Sequence, residues 1–211
     1  MKKFPLATVF LTLFLGLYAI TVSASQDPTA MLRSIADQMI AKLKQNQVTL
    51  KKNPGLVYSF ANKIIVPHAD LDAMSKRVLP PKTWNSSTPA QRSLFKKEFT
   101  TTLIRTYASA IAQYTDQTVQ FSPVRGGYSG KTMVNVNSQI KPSDGSPINV
   151  TYKLISAGGN WRLIDLTVEG VSMLESFRSQ FADQLSHSDI NGLIQVLKQH
   201  NLANERADGN A

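Results

Sequence analysis

DLTVEGVSMLESFRSQF, residues 165–181, changes its period halfway along. Leu166 and Val168 alternate as in a strand, whereas Val171, Leu174, Phe177 and Phe181 recur at helical spacing. Glu169 and Gly170 stand at the junction. A carboxylate placed there could serve chemistry, or it could belong to a strand-to-helix corner. Glycine lets a chain turn sharply, and an acid suits the positive end of the helix that follows. The stretch therefore predicts the end of a sheet and the return of helices, with Val168 and Val171 facing one apolar space.

Upstream of this corner the period is two. Val119 and Phe121 alternate, and Val134, Val136 and Ile140 follow a glycine-rich turn. After the turn cluster 142–147 come Ile148, Val150, Tyr152 and Leu154, then Gly158-Gly159-Asn160, then a strand from Trp161 to Val168. Short turns between such runs predict an antiparallel meander of four or five strands. Downstream, helices are expected from Val171 to about His187 and from a Ser188 cap to about His200. Residues 201–211 read as a flexible polar tail.

The N-terminal half is helical. Met31, Leu32, Ile35, Met39, Ile40 and Leu43 recur at helical spacing between Thr29 and about Leu50. A second helix is expected to open at Asn53-Pro54, with Phe60 and Ile64 on its apolar face and Pro67 as its stop. A short helix then precedes a turn at Pro80-Pro81. Thr88 and Gln91 make a capping box. It starts the longest helix, whose stripe is Phe95, Phe99, Leu103, Tyr107, Ile111 and Tyr114. Helices, meander, helices describe an α+β domain with helices on one face of the sheet. The large apolar side chains between them make either an ordinary core or the lining of a cavity.

The first 24 residues pair Lys2 and Lys3 with an apolar run from Phe4 to about Ile20 and a Val22-Ser23-Ala24 site, as in a cleaved secretory signal peptide. The expected organisation is a signal peptide over 1–24, one domain over 25–200, and the tail. The 211-residue chain has no cysteine, so its core holds it without disulfides. Losing Lys2 and Lys3 takes the formal charge from +9 to +7. On an exported protein that excess suits anionic lipid, a lipopolysaccharide-rich face or an acidic protein rather than nucleic acid, and charge alone is equally consistent with a merely soluble surface.

Chemistry finds little support. RGGYSGKT (125–132) has arginine where a phosphate-binding loop needs its first glycine, and it leads into a strand. The histidines, His68, His187 and His200, stand in no metal-binding spacing. His68 and Asp70 read better as a stabilised helix break than as an acid–base pair. No GxSxG motif is present, and Asp165 with Glu169 lacks a second catalytic group. The chain reads as a non-enzyme, with no cofactor and no metal; the alternatives are an enzyme on a cone-shaped α+β fold and an exported adaptor with a solid core.

Pro67-His68-x-Asp70, Trp84, TPAQRxxFxxEF (88–99), Arg105-Thr106-Tyr107, Trp161 with Asp165, and EGVS (169–172) leading to Arg178-Ser179-Gln180-Phe181 occur in an order that resembles the MlaC, or toluene-tolerance, family. The likeness spans about Met31 to His200. One departure is VLPP (78–81), where members often carry glycine after Val-Leu. The resemblance implies a periplasmic carrier of phospholipid, bound as cargo in an apolar cavity, that maintains outer-membrane asymmetry. It also implies two partners: an inner-membrane ABC transporter with a ring-forming lipid-binding subunit, and an outer-membrane lipoprotein–porin complex.

A lining then follows from the apolar stripes. Phe60 and Ile64 would supply it from the second helix, and Phe95, Phe99, Leu103, Tyr107 and Ile111 from the longest. The sheet would add Val134, Val136, Val150, Tyr152, Leu154, Ile164, Leu166 and Val168. Val171, Leu174, Phe177 and Phe181 would complete it. Trp84, Thr88, Gln91, Trp161, Asp165, Glu169 and Gly170 are expected to be structural.

Overall fold

The computed structural model describes residues 26–53, 55–112, 117–142 and 145–207. The expected signal peptide over 1–24, Pro54, Tyr114, Ser143-Asp144 and residues 208–211 of the expected tail lie outside the described residues. Asp27 caps α1 (Pro28–Gln45) by accepting from Thr29 N at 2.8 Å. The single helix expected up to Leu50 breaks at Asn46, whose side chain donates to Lys42 O and ends α1. A short α2 (Gln47–Lys52) follows. The next helix, α3 (Leu56–Ile64), starts later than expected. Gly55 takes the cap position with no side-chain bond, and Asn53 instead closes α2.

A 3-10 turn at Val66–His68 contains Pro67. Asp70 then caps α4 (Leu71–Val78), accepting from Ala73 N at 2.8 Å. Pro80-Pro81 is more than a turn, because Pro81 opens a further helix, α5 (Pro81–Ser86). Leu79 and Pro80, each followed by proline, are held extended, and Pro81 then suits the first helical position. The Thr88–Gln91 box forms at both bonds, 2.8 and 3.2 Å, and launches α6 (Pro89–Ala112).

The sheet is an antiparallel meander of five strands in sequence order. These are β1 (Thr118–Phe121), β2 (Met133–Lys141), β3 (Ile148–Ala157), β4 (Asn160–Val168) and β5 (Val171–Ser172). Helices α7 (Met173–His187) and α8 (Ile190–Ala207) close the chain. Two sequence expectations change here. Val171 is in a strand rather than at a helix start, and residues 201–207 continue α8 rather than forming a tail. Asn201, 5% exposed, holds that last stretch by accepting from Thr102 Oγ1 and donating to Glu98.

Register fixes which side chains share a face. Leu154 pairs with Leu163 and Lys153 with Asp165, so Ile164 is an extra, bulged residue of β4. Val134, Val136, Leu154 and Trp161 pack under Met31 and Leu32 of α1. Ile155, the neighbour of Leu154, joins Ile164 in a separate cluster with α4, α6, α7 and α8. Successive strand residues point to opposite faces. Helices on one face therefore describes α1, whereas the later helices meet the sheet from its other side at the β4 end.

Candidate functional site

The corner at residues 165–175 is built from two linked devices. Glu169 and Gly170 both have positive φ, 47° and 82°, between the register partners Val168 and Val171. A two-residue hairpin loop with positive φ at both positions matches the right-handed twist of its strands. Glu169 is thus a turn residue and not, as expected, the acid at the helix start. Its N–H donates to Asn149 O and its carboxylate accepts from Asn149 N, which ties the loop to β3.

Asp165 is the acid at the start of α7. Its Oδ1 accepts from Leu166 N at 2.8 Å and Leu174 N at 3.2 Å, and its Oδ2 accepts from Ser172 Oγ at 2.7 Å. Ser172 Oγ in turn accepts from Glu175 N as the cap of α7. Asp165 and Asp70 both have their carboxylates committed to backbone donors at helix starts. Each bond there holds an end of a helix.

The apolar residues expected to share one lining fall into three clusters. On the sheet, Val134, Val136, Tyr152, Leu154 and Trp161 pack with Met31, Leu32 and Ile35. By register Val150, Leu166 and Val168 extend this same face. Val150 is buried, whereas Tyr152, Leu166 and Val168 are half-buried. Ser138 lies on that face too and donates to Tyr152 Oη at 3.3 Å. The indole N–H of Trp161, buried in this cluster, has no partner among the described residues.

The long-helix stripe does not face this surface as expected. Phe95 and Phe99, both 0% exposed, stack on each other at 5.7 Å and meet Phe181 edge-on. Phe177 meets Phe99 edge-on at 5.6 Å. Leu103, Tyr107, Ile164 and Leu174 belong to the same helical cluster. The physical reason is complementarity: Phe177 and Phe181, four apart on α7, present a matching aromatic ridge to Phe95 and Phe99. Trp84 borders this cluster, with the Arg92 guanidinium over its ring and donating to its carbonyl.

Phe60, Ile64 and Ile111 form the third group, around Met39, Leu43, Leu50 and Val57. Val171 is 61% exposed at the sheet margin, although it pairs with Val168. What the sequence reading missed is the role of α1 as cover of the sheet face. Its apolar spacing was legible, but a helical stripe does not name its partner.

Two clefts open on the helical side. One, of about 410 Å3, runs between α6, α7 and α8 past Tyr107, Phe177, Phe181 and Leu197. The other, about 290 Å3, lies at the corner among Arg77, Lys153, Asp165, Glu175 and Arg178. The space between the sheet face and α1 is occupied by packed side chains.

Residues 33–199 match the family described as MlaC protein. A toluene tolerance protein from Pseudomonas putida is 28% identical over 178 residues, covering 84% of this chain and 82% of that protein. The intermembrane phospholipid transport system binding protein MlaC of Haemophilus influenzae is 26% identical over 201 residues, covering 94% and 92%. Among solved structures, a phospholipid-binding protein from Ralstonia solanacearum in complex with a phospholipid superposes with a TM-score of 0.77 at 28% identity. It covers 84% of this chain and 98% of its own.

Proposed function

The chain belongs to the MlaC family, and from that premise we propose that it is a periplasmic phospholipid carrier, without catalytic activity, that holds acyl chains against the apolar face of its sheet. The observation that carries this reading is the packing of that face. Tyr152, Leu166 and Val168 are apolar-faced residues left half-buried beside the fully buried Val136 and Leu154. The helical aromatic cluster, by contrast, is filled by rings packed against rings, stacked and edge-on. Acyl chains therefore enter between the sheet face and α1, where half-buried side chains leave the least to displace.

The energetics require such a site. Moving acyl chains from a bilayer into water costs about 0.8 kcal/mol per methylene, on the order of 20 kcal/mol for a two-chain lipid. A carrier must offer a comparable apolar surface and still release its cargo. Loading then means a shift from the closed packing to a state in which α1 stands off the sheet. Cargo passes between an outer-membrane lipoprotein–porin complex and an inner-membrane ABC transporter with a ring-forming lipid-binding subunit, which maintains outer-membrane asymmetry.

The test is extraction of the purified protein with organic solvent, followed by mass spectrometry. Phospholipid at near-stoichiometric amount supports the carrier. A protein that holds none and takes up none from vesicles is an exported adaptor with a solid core.

A further inference from the structure

Residues 38–69 contain no acid and five lysines, Lys42, Lys44, Lys51, Lys52 and Lys63. All five are exposed, and none pairs with an acid among the described residues. At the middle of this stretch, where α1 breaks into α2, Val48 is 75% exposed, the most exposed large apolar side chain among the described residues. Lys51 and Lys52 follow Val48 by three and four positions in α2, so all three share one helical face. Leu50 points the other way and is buried in the cluster with Leu43 and Val57.

Lysines in the last turn of a helix suit its negative end, which accounts for their positions in α1 and α2. It does not account for an apolar side chain standing in water within an acid-free, lysine-bearing stretch. An apolar tip sharing a helical face with two exposed lysines fits the interface of an anionic bilayer, where the tip enters the headgroup layer and the lysines meet lipid phosphates. We propose that the α1–α2 corner is a membrane-docking element for anionic phospholipid surfaces, with Val48 as its wedge and Lys51 and Lys52 as its phosphate contacts. Docking in this orientation sets the inner faces of α1 and α2, with Met39, Leu43 and Leu50, directly behind the membrane surface.

Flotation of the purified protein with phosphatidylcholine vesicles, with and without phosphatidylglycerol, tests this at low and high salt. The protein is expected to float with the anionic vesicles at low salt and to be released by high salt. Val48→Asp lowers the partition coefficient on the order of tenfold through loss of the apolar tip. The double variant K51Q/K52Q lowers it about thirtyfold, at about fivefold per lysine. Circular dichroism of both variants keeps loss of folding distinct from loss of docking. No association with anionic vesicles, equal association with neutral ones, or insensitivity to either substitution overturns the proposal. Flotation reads association and not cargo, so its failure leaves the carrier reading to its own extraction test.

Discussion

The Ser172 hydroxyl donates to Asp165 Oδ2 at 2.7 Å while its oxygen accepts the Glu175 N–H at 3.1 Å. One side chain thus joins the last long strand to the first turn of α7. Asp165 completes the junction through Leu174 N, a second of the helix's orphan donors. The carboxylate that could have been read as a catalytic group is a capping group acting across a hairpin.

Ser172→Ala is expected to destabilise the protein by about 1 kcal/mol, the usual loss of a helix cap. Asp165→Asn removes a charged acceptor from three donors and should cost about 1–3 kcal/mol. Urea unfolding measures both. Bound lipid per folded molecule should stay unchanged, and a fall in lipid with stability intact would place Asp165 in the cargo site instead.

Gly170 sits at φ 82° with open space where a Cβ would stand. Any penalty for Gly170→Ala therefore comes from the backbone alone. An L-residue in the left-handed region costs about 1–2 kcal/mol, so the variant should lose about that much in a thermal or urea melt. Glu169→Asn should be better tolerated, because asparagine visits positive φ readily. A Gly170→Ala protein as stable as its parent would mean that the loop can relax into another turn.

Much of this corner is legible in the sequence. The switch from period two to period 3.6 between Val168 and Leu174 located the end of the sheet, and Thr88 with Gln91 marked the start of the longest helix. The acid at the start of α7 is Asp165 and not Glu169, which proximity in sequence to α7 had favoured. The hairpin folds β5 back and brings Asp165, nine residues before Leu174, to the helix start instead. Similarly, the stripe of Phe95 and Phe99 was visible, but its partner was not. Periodicity gives a face and leaves open which surface covers it, so residues of three separate clusters read as one lining.

Phe99 and Leu166, both plausible pocket residues by pattern, should behave differently. Phe99 is enclosed by Phe95, Phe177 and Phe181. Phe99→Ala should cost about 3–5 kcal/mol through cavity formation. Leu166, half-buried opposite Tyr152, lies on the sheet face assigned to acyl chains. Leu166→Asp should leave a folded protein whose co-purified phospholipid is strongly reduced, since a lone carboxylate is unfavourable against a hydrocarbon chain. Mass spectrometry and circular dichroism on the same samples separate these outcomes. Full lipid occupancy in Leu166→Asp would move the acyl site elsewhere.

Tyr152 makes the sheet face sensitive to alkali. Burial holds its phenol above the ordinary value of 10.0, and the hydrogen bond from Ser138 offsets part of that rise. An acid whose folded value is raised contributes its full stability below the ordinary value. The unfolded chain then releases its proton first, so stability falls as pH climbs from the ordinary value towards the folded one. Tyr107 shifts in the same direction through burial and adds a smaller share from its more open position. Tyr152→Phe removes the ionisable group while keeping the ring, so its stability should decline less between neutrality and about pH 11. Ser138→Ala, which removes the bond favouring phenolate, should steepen the decline. Urea unfolding across that range measures the slopes. Equal slopes in Tyr152→Phe and the parent protein would mean that the phenol is solvated in solution and that the sheet face is open to water there.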